Sequence, residues 1–361
     1  MRNTSSIAQP QRQVRSRLLL RQRLPTLLAS PDTRFAQQGP LVLFYTPFFK
    51  EPPNISAIRC DVPVRWTLDR RQLRHASIVI FHVPNSPDLV RVRKYPGQLW
   101  VAWSQESKVN YPRLANPVYL RQFDLIMTYE QHADVWTPYL PRLHDWSSML
   151  ARPVPEKTEA APLVMFQSAD VDQSGRTELV TELFRYVRID SYGSLFRNRR
   201  LAGPDTGHNS KLNTVARYHF CLALENSIAP DYVTEKIFDA LRAGSVPVYL
   251  GAPNVRDFVP QASFIDVNAH GGSRGLARYL NHLAASPDEY ASYHAWRKQP
   301  LPPALLSRIA SVETEAFCRL LSISATRMET QPYRQDQSER PWPAVGWIAE
   351  QLRQLQRAFR R

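Results

Sequence analysis

The stretch Phe220-Cys-Leu-Ala-Leu-Glu-Asn-Ser-Ile-Ala-Pro-Asp-Tyr-Val-Thr-Glu-Lys236, continued through Ala243-Gly-Ser-Val-Pro-Val-Tyr-Leu-Gly251, reads as a strand, a polar turn, a helix and a second strand. Phe220–Leu224 and Val246–Leu250 are nearly continuous apolar runs, the pattern of strands covered on both faces. The turn Glu225-Asn226-Ser227 falls at the carboxyl end of its strand, the edge of an open α/β sheet where ligands bind. In the helix expected over Tyr232–Ala243, Val233, Ile237, Ala240 and Leu241 form the buried stripe, while Tyr232, Glu235, Lys236 and Asp239 share the opposite sector. Asp231 is the expected N-cap. Free N–H groups, the positive helix end and a lysine make an anion site, and the adjacent carboxylate suits sugar hydroxyls. That combination describes a sugar-nucleotide site. Lys236 stands out because the chain has 39 Arg and only 7 Lys.

Outward from this segment, runs rich in Val, Ile, Phe and Tyr recur at Leu41–Tyr45, Ile78–His82, Leu99–Trp103, Asp124–Tyr129, Leu163–Gln167, Val187–Asp190 and Phe264–Val267. Helical periodicity lies between them at Thr177–Tyr186 and Gly275–Ala285. Alternating strands and helices imply parallel α/β sheets. At 361 residues the chain exceeds what one core usually serves, so two domains are expected. A proline-rich shift near 140–160 places a linker there. The expected division is a basic extension at 1–35, a domain at 36–145, a linker at 146–160, a second domain at 161–330, and a linker with a basic amphipathic tail at 331–361.

The formal net charge is +14, of which residues 1–35 carry +6 and 350–361 carry +3, leaving an ordinary body. Trp347, Ile348, Leu352, Leu355 and Phe359 lie between the tail arginines. The tail reads either as an amphipathic helix on an anionic membrane surface or as a docked terminal helix with solvated arginines. No helix-turn-helix, zinc finger or aromatic RNA platform supports nucleic-acid binding. No apolar run approaches the ~18 residues of a spanning helix, and the amino terminus lacks the apolar core of a signal peptide. Cys60, Cys221 and Cys318 lie far apart with no CxxC spacing, so neither a disulfide framework nor a zinc site is expected, and a reducing, cytoplasmic location is. The N-x-S/T matches at Asn3 and Asn54 read as unmodified.

The central segment resembles the signature of the α-1,3-fucosyltransferase family: Phe220–Ser227, Asp231–Lys236, Ala243–Gly251 and Phe258-Val-Pro-Gln-Ala-Ser-Phe-Ile265 match its blocks in order. Upstream, Ser191-Tyr-Gly193, Ser168–Arg176, Trp103-Ser-Gln-Glu-Ser107, Asp124–Tyr129 and Asp134–Tyr139 resemble further pieces, so the likeness covers roughly 40–290. His219 departs from the family's usual lysine or arginine, and the cysteine pairs of animal members are absent.

The resemblance implies a GT-B arrangement of two Rossmann-like domains with an interdomain cleft. It also implies inverting transfer of L-fucose from GDP-β-L-fucose to a glycan hydroxyl, with an α-1,3 linkage to N-acetylglucosamine or glucose of a β-galactoside-type acceptor. Such chemistry needs a base for the incoming hydroxyl and positive charge for the departing diphosphate. The residues then expected in the site are Glu106 as base, with Arg176, Asn226, Tyr232, Glu235 and Lys236 around the donor. Glu225, Ser227, Ser168 and Tyr192 are further candidates, and Glu225 reads equally as a buried acid organising the turn. Asp170-Val-Asp172 imitates a D-x-D metal motif, but the cationic side chains make a metal unnecessary, so no cofactor is expected. Two other readings stay open: another nucleotide sugar on the same fold, or an inactive body that binds membrane or nucleic acid.

Overall fold

A computed structural model describes residues 39–86 and 89–330. The basic extension, Asn3 and the amphipathic tail, including Trp347 and Phe359, lie outside the described residues. The described chain forms two sheets with helices between the strands.

The first sheet has the order β2-β1-β3-β4-β5-β6. Its strands are β1 (Leu41–Phe44), β2 (Arg65–Thr67), β3 (Ile78–His82), β4 (Leu99–Ser104), β5 (Leu125–Thr128) and β6 (Val135–Trp136). β1 runs parallel to β2 and β3, β3 to β4, and β5 to β6. The apolar runs place their strands correctly, because every residue of β1 and β3 is buried. The two edge strands β2 and β6 were not expected; at three and two residues they carry too little pattern to read.

The second sheet, ordered β11-β10-β9-β7-β8, contains β7 (Leu163–Met165), β8 (Ile189–Ser191), β9 (Phe220–Leu224), β10 (Val246–Leu250) and β11 (Ile265–Asp266). Its pairings are parallel throughout. The helices are α1 (Pro117–Leu120), α2 (Leu143–Ala151), α3 (Arg176–Leu183), α4 (His208–Val215), α5 (Glu235–Ala243), α6 (Ser273–Ala284), α7 (Pro287–Ser292), α8 (Pro303–Val312) and α9 (Ala316–Thr330). α2 lies between Pro141 and Pro153, where proline density suggested irregular chain; the prolines flank the helix, and Trp146 and Met149 bury its inner face.

By contact the described residues form two compact units, one of 39–103, Arg121–Ile126 and 317–330, the other of Ser104–Leu120 and Met127–Ala316. In the first unit, Phe317 at the start of α9 packs edge-on against Phe44 and Trp103, with ring centroids 5.1 and 5.3 Å apart. The neighbouring Cys318 is disulfide-bonded to Cys60 across 258 residues of sequence. This corrects the expectation of no disulfide framework: spacing along the chain said nothing about proximity once α9 returns to β1 and β4. Cys221 alone is free, and buried.

In the second unit one apolar cluster joins Trp146 and Met149 to Ile237, Phe238, Leu241, Phe258 and Ile309. Another lies on the other face of the sheet, among Leu163, Leu183, Leu222, Val248, Leu276 and Leu280. Burial on both faces is what a nearly continuous apolar strand predicts. No described helix is long and apolar enough to cross a membrane.

Candidate functional site

The site forms where β9 and β10 end. The backbone N–H of Glu225 still bonds Leu250 O at 2.8 Å, so the ladder fixes the turn that follows. Gly251 is required there: a Cβ on it would lie 2.4 Å from the Tyr249 hydroxyl and 2.5 Å from Glu225 Cγ.

Glu225 is fully buried. Its Oε1 accepts the Thr234 N–H at 2.8 Å, and its Oε2 accepts the Thr234 hydroxyl at 2.8 Å and faces Lys236 Nζ at 3.2 Å. Burial pushes its pKa up, opposed by Lys236 and by the Thr234 bonds. These partners are the ones its reading as an acid organising the turn requires.

The segment Asp231–Thr234 differs from expectation. α5 starts at Glu235, and its N-cap is Thr234, not Asp231. Asp231 has φ +64° and belongs to the preceding turn. Asn254 holds it by two side-chain bonds of 2.9 Å, and the Gln131 N–H bonds its carboxylate at 3.0 Å. Such a φ is uncommon outside glycine, and Asp is among the residues that tolerate it. Tyr232 therefore lies outside the helix, and the exposed sector expected to include it and Asp239 does not exist. Asp239 is buried against Lys211 at 2.8 Å, and α5 buries most of its circumference.

Glu235 and Lys236 do open the helix. Lys236 Nζ bonds Thr234 Oγ1 at 2.8 Å and lies 3.3 Å from Glu235 Oε1. Burial would lower the Lys236 pKa, but Glu225 and Glu235 outweigh it and hold the ammonium above its ordinary value. Burial acts upward on Glu235, yet Lys236, its own backbone N–H and Lys211 outweigh that and lower its pKa. Glu235 remains half exposed, its side chain 48% accessible, so its oxygens are open to a ligand.

Glu106 belongs to the same unit, in the loop after β4. Ser104 Oγ accepts the Glu106 N–H at 3.0 Å, and the Tyr232 hydroxyl reaches Glu106 Oε2 at 3.4 Å. Tyr232 is buried and packs edge-on against Tyr129 at 5.0 Å. Burial raises the Glu106 pKa, opposed by Lys236 and the Tyr232 bond, while Glu235 and Glu225 push it further up. A half-buried carboxylate with raised basicity can take a proton from a hydroxyl.

Asn226 Oδ1 accepts Asn110 Nδ2 at 2.9 Å, and its carbonyl accepts the Gln173 N–H at 2.7 Å. Ser227 is buried with its Oγ unpartnered. Arg176 is buried at the start of α3, where three bonds of 2.9–3.2 Å run to Ala169 O, Val171 O and Leu224 O. Its guanidinium thus holds loop carbonyls, and Nε lies buried without a partner beside a small cavity shared with Gln167, Lys211 and Lys236. Asp172 caps α3, accepting N–H bonds from Ser174, Gly175, Arg176 and Thr177. These bonds hold its pKa well below the ordinary range although burial acts the other way.

Ser168 and Tyr192 sit after β7 and β8. Ser168 Oγ accepts the Ser194 N–H at 3.2 Å. Tyr192 stacks on Phe166 with centroids 5.1 Å apart, and its hydroxyl meets that of Tyr218 at 3.0 Å. The structure thus joins Glu225, Glu235 and Lys236 through Thr234, and Glu106 to Tyr232, with charge coupling the two groups, while the bonds of Ser168 and Tyr192 run elsewhere. Thr234, Asn110 and Tyr139 were missed. Tyr139 is half-buried and donates to Gln105 O at 3.2 Å, holding the Glu106 loop. Thr234 lies inside the quoted signature, whereas nothing local marks Asn110 or Tyr139.

The family model for the C-terminal part of glycosyltransferase family 10 (fucosyltransferase) matches residues 154–338, and the fucosyltransferase N-terminal model matches 37–140. The human 4-galactosyl-N-acetylglucosaminide 3-alpha-L-fucosyltransferase FUT6 is 33% identical over 283 residues, covering 74% of this chain and 75% of its own. A fucosyltransferase-like protein of Arabidopsis thaliana is 33% identical over 241 residues, 65% of this chain; the chain spans 45% of that relative's length. A crystal structure of an alpha1,3-fucosyltransferase with GDP-fucose superposes with a TM-score of 0.53 at 16% identity, covering 84% of this chain and 95% of that one. At that identity the match establishes the fold, which is GT-B.

Proposed function

The chain belongs to glycosyltransferase family 10, the fucosyltransferases, and from that premise we propose that it transfers L-fucose from GDP-β-L-fucose to a glycan hydroxyl with inversion. The observation that carries the proposal is Glu106, a carboxylate of raised basicity held by Tyr232 and coupled by charge to the Lys236–Glu235 pair.

In the proposed reaction Glu106 removes the proton of the acceptor hydroxyl as its oxygen attacks fucose C1. The bond from C1 to the β-phosphate oxygen breaks on the opposite face, and GDP leaves with that electron pair. The β donor therefore gives an α product. Lys236 answers the charge developing on the diphosphate, worth most where water is excluded. Glu235, half exposed beside it, accepts bonds from the ribose hydroxyls. Asn226 is assigned to the fucose or the adjacent phosphate. Tyr232 acts on the nucleotide through its neighbours and on Glu106 directly. Arg176 orders the loop that borders the donor, its field adding to that of Lys236, because its terminal nitrogens already serve carbonyl groups.

The acceptor we propose is N-acetylglucosamine of a β-galactoside-type glycan, linked α-1,3, in line with the name of the human relative. No metal is assigned a role, and Asp172 is engaged by four backbone N–H groups. The disulfide fits an oxidising compartment and weighs against the cytoplasmic expectation.

The test separates the two halves of the site. Lys236→Ala weakens GDP binding in calorimetric titration, whereas Glu106→Gln binds GDP as the parent does and loses turnover. Normal transfer by Glu106→Gln refutes the base; preference for GDP-mannose or a UDP-sugar refutes the donor.

A further inference from the structure

Three exposed apolar side chains stand around one hydrogen-bonded hub. Val109, Val171 and Ile228 are 41, 46 and 45% exposed, and they lie on three different loops of the second unit. Each loop is tied to Asn226. Val109 precedes Asn110, whose amide bonds the Asn226 side chain. Val171 comes two residues before Gln173, whose N–H bonds the Asn226 carbonyl. Ile228 comes two residues after Asn226 itself. With so short a reach from each bond, the three lie on neighbouring loop crests.

The crests are braced. Arg176 holds the Val171 carbonyl at 2.9 Å, and Ser174 Oγ bonds Glu225 O at 2.6 Å. Val109 is held through its N–H to Ser107 Oγ at 3.2 Å. Exposed aliphatic side chains on braced loops cost solubility and do nothing for the core. Single exposed apolar residues need no explanation, but three converging on one residue beside a candidate base do. The Asn110 Oδ1, buried and unpartnered among them, is an acceptor lacking a donor.

We propose that Val109, Val171 and Ile228 form an apolar lip that selects acceptors carrying an apolar aglycone next to the sugar that receives fucose. The inference rests on the proposed fucosyl transfer and adds to it the class of acceptor. Its placement follows from the base loop: Glu106 lies three residues before Val109, at most about 11 Å of chain, so a sugar whose hydroxyl faces Glu106 lies within reach of the lip. Carbohydrate recognition commonly joins a few fixed polar contacts to an apolar surface, and this lip supplies the second kind.

The experiment compares two acceptors, the methyl and octyl β-glycosides of galactosyl-β-1,4-N-acetylglucosamine, using the full chain and GDP-fucose. The parent enzyme should favour the octyl glycoside about tenfold in kcat/KM, the low end of what contact with one methylene commands, and through KM. The triple variant Val109→Ser, Val171→Ser, Ile228→Ser should bring that ratio to about one, with unchanged GDP affinity and melting temperature. Leu306→Ser, an exposed apolar residue elsewhere in the unit, should leave the ratio as it was. A ratio near one in the parent, or an unaltered ratio in the triple variant, overturns the lip; so does a triple variant that changes only the oligomeric state. Transfer to neither glycoside while GDP still binds overturns the proposed acceptor, and the lip with it. Failure to bind GDP at all instead refutes the donor reading.

Discussion

Replacing Glu225 with alanine tests the reading of the donor-side turn at its most buried point. The change removes the partner of two Thr234 groups at 2.8 Å and of Lys236 at 3.2 Å. Thr234 is 1% exposed, so its N–H has no water to turn to. A buried group left without its partner costs about 1–3 kcal/mol, and breaking a buried ion pair about 3–5 kcal/mol. Lys236 keeps Glu235 at 3.3 Å and is 25% exposed, which places the loss at the lower end, about 3 kcal/mol. For a unit of this size that is a fall in melting temperature of roughly 6–12 °C.

Glu225→Gln keeps an oxygen for the Thr234 N–H but turns the acceptor of the Thr234 hydroxyl and of Lys236 into an amide donor, so it should fall less far than Glu225→Ala while still melting below the parent. Differential scanning calorimetry with and without GDP reads both variants. If Glu225→Ala melts within about 2 °C of the parent, the carboxylate does not hold the turn. If it melts normally and loses GDP affinity, Glu225 is a ligand and the structural assignment fails.

Four further outcomes test the site and the fold. The kcat/KM for transfer should rise with pH as Glu106 loses its proton, with a midpoint above the ordinary glutamate value of about 4.3. Tyr232→Phe removes a bond that favours the ionised form, so this limb should move to higher pH; a limb that stays or moves down refutes the contact. Asp172→Ala should cost about 1–2 kcal/mol at pH 7 in urea denaturation. Because the Asp172 pKa is lowered on folding, its contribution is full above the unfolded value, about 3.9, and the gap between variant and parent should close as pH falls below it. Transfer should also survive EDTA. Thiol titration should find no reactive cysteine in the native chain, only Cys221 after denaturation without reductant, and all three after reduction. Three thiols before reduction refute the Cys60–Cys318 bond.

The amino-acid order alone determined the strands that matter and the chemistry at their ends. Phe220–Leu224 and Val246–Leu250 are apolar without interruption, and only a doubly covered parallel strand buries such a run. The signature from Glu225 to Lys236 likewise carried the acid, the lysine and their place at a strand's carboxyl edge.

What the sequence could not carry were the distant pairings. Helical periodicity extended α5 back to Tyr232, but Asn254 and Gln131 hold Asp231 at positive φ and delay the helix to Glu235. Nor could local pattern show that Arg176, expected beside the donor, also holds the loop carbonyls of Ala169, Val171 and Leu224. Cys60 found Cys318, and Asn110 found Asn226, over separations of 258 and 116 residues. The reason is physical: local pattern fixes which face of an element is buried, whereas the partner of a polar group depends on which remote segment the packing brings within 3 Å.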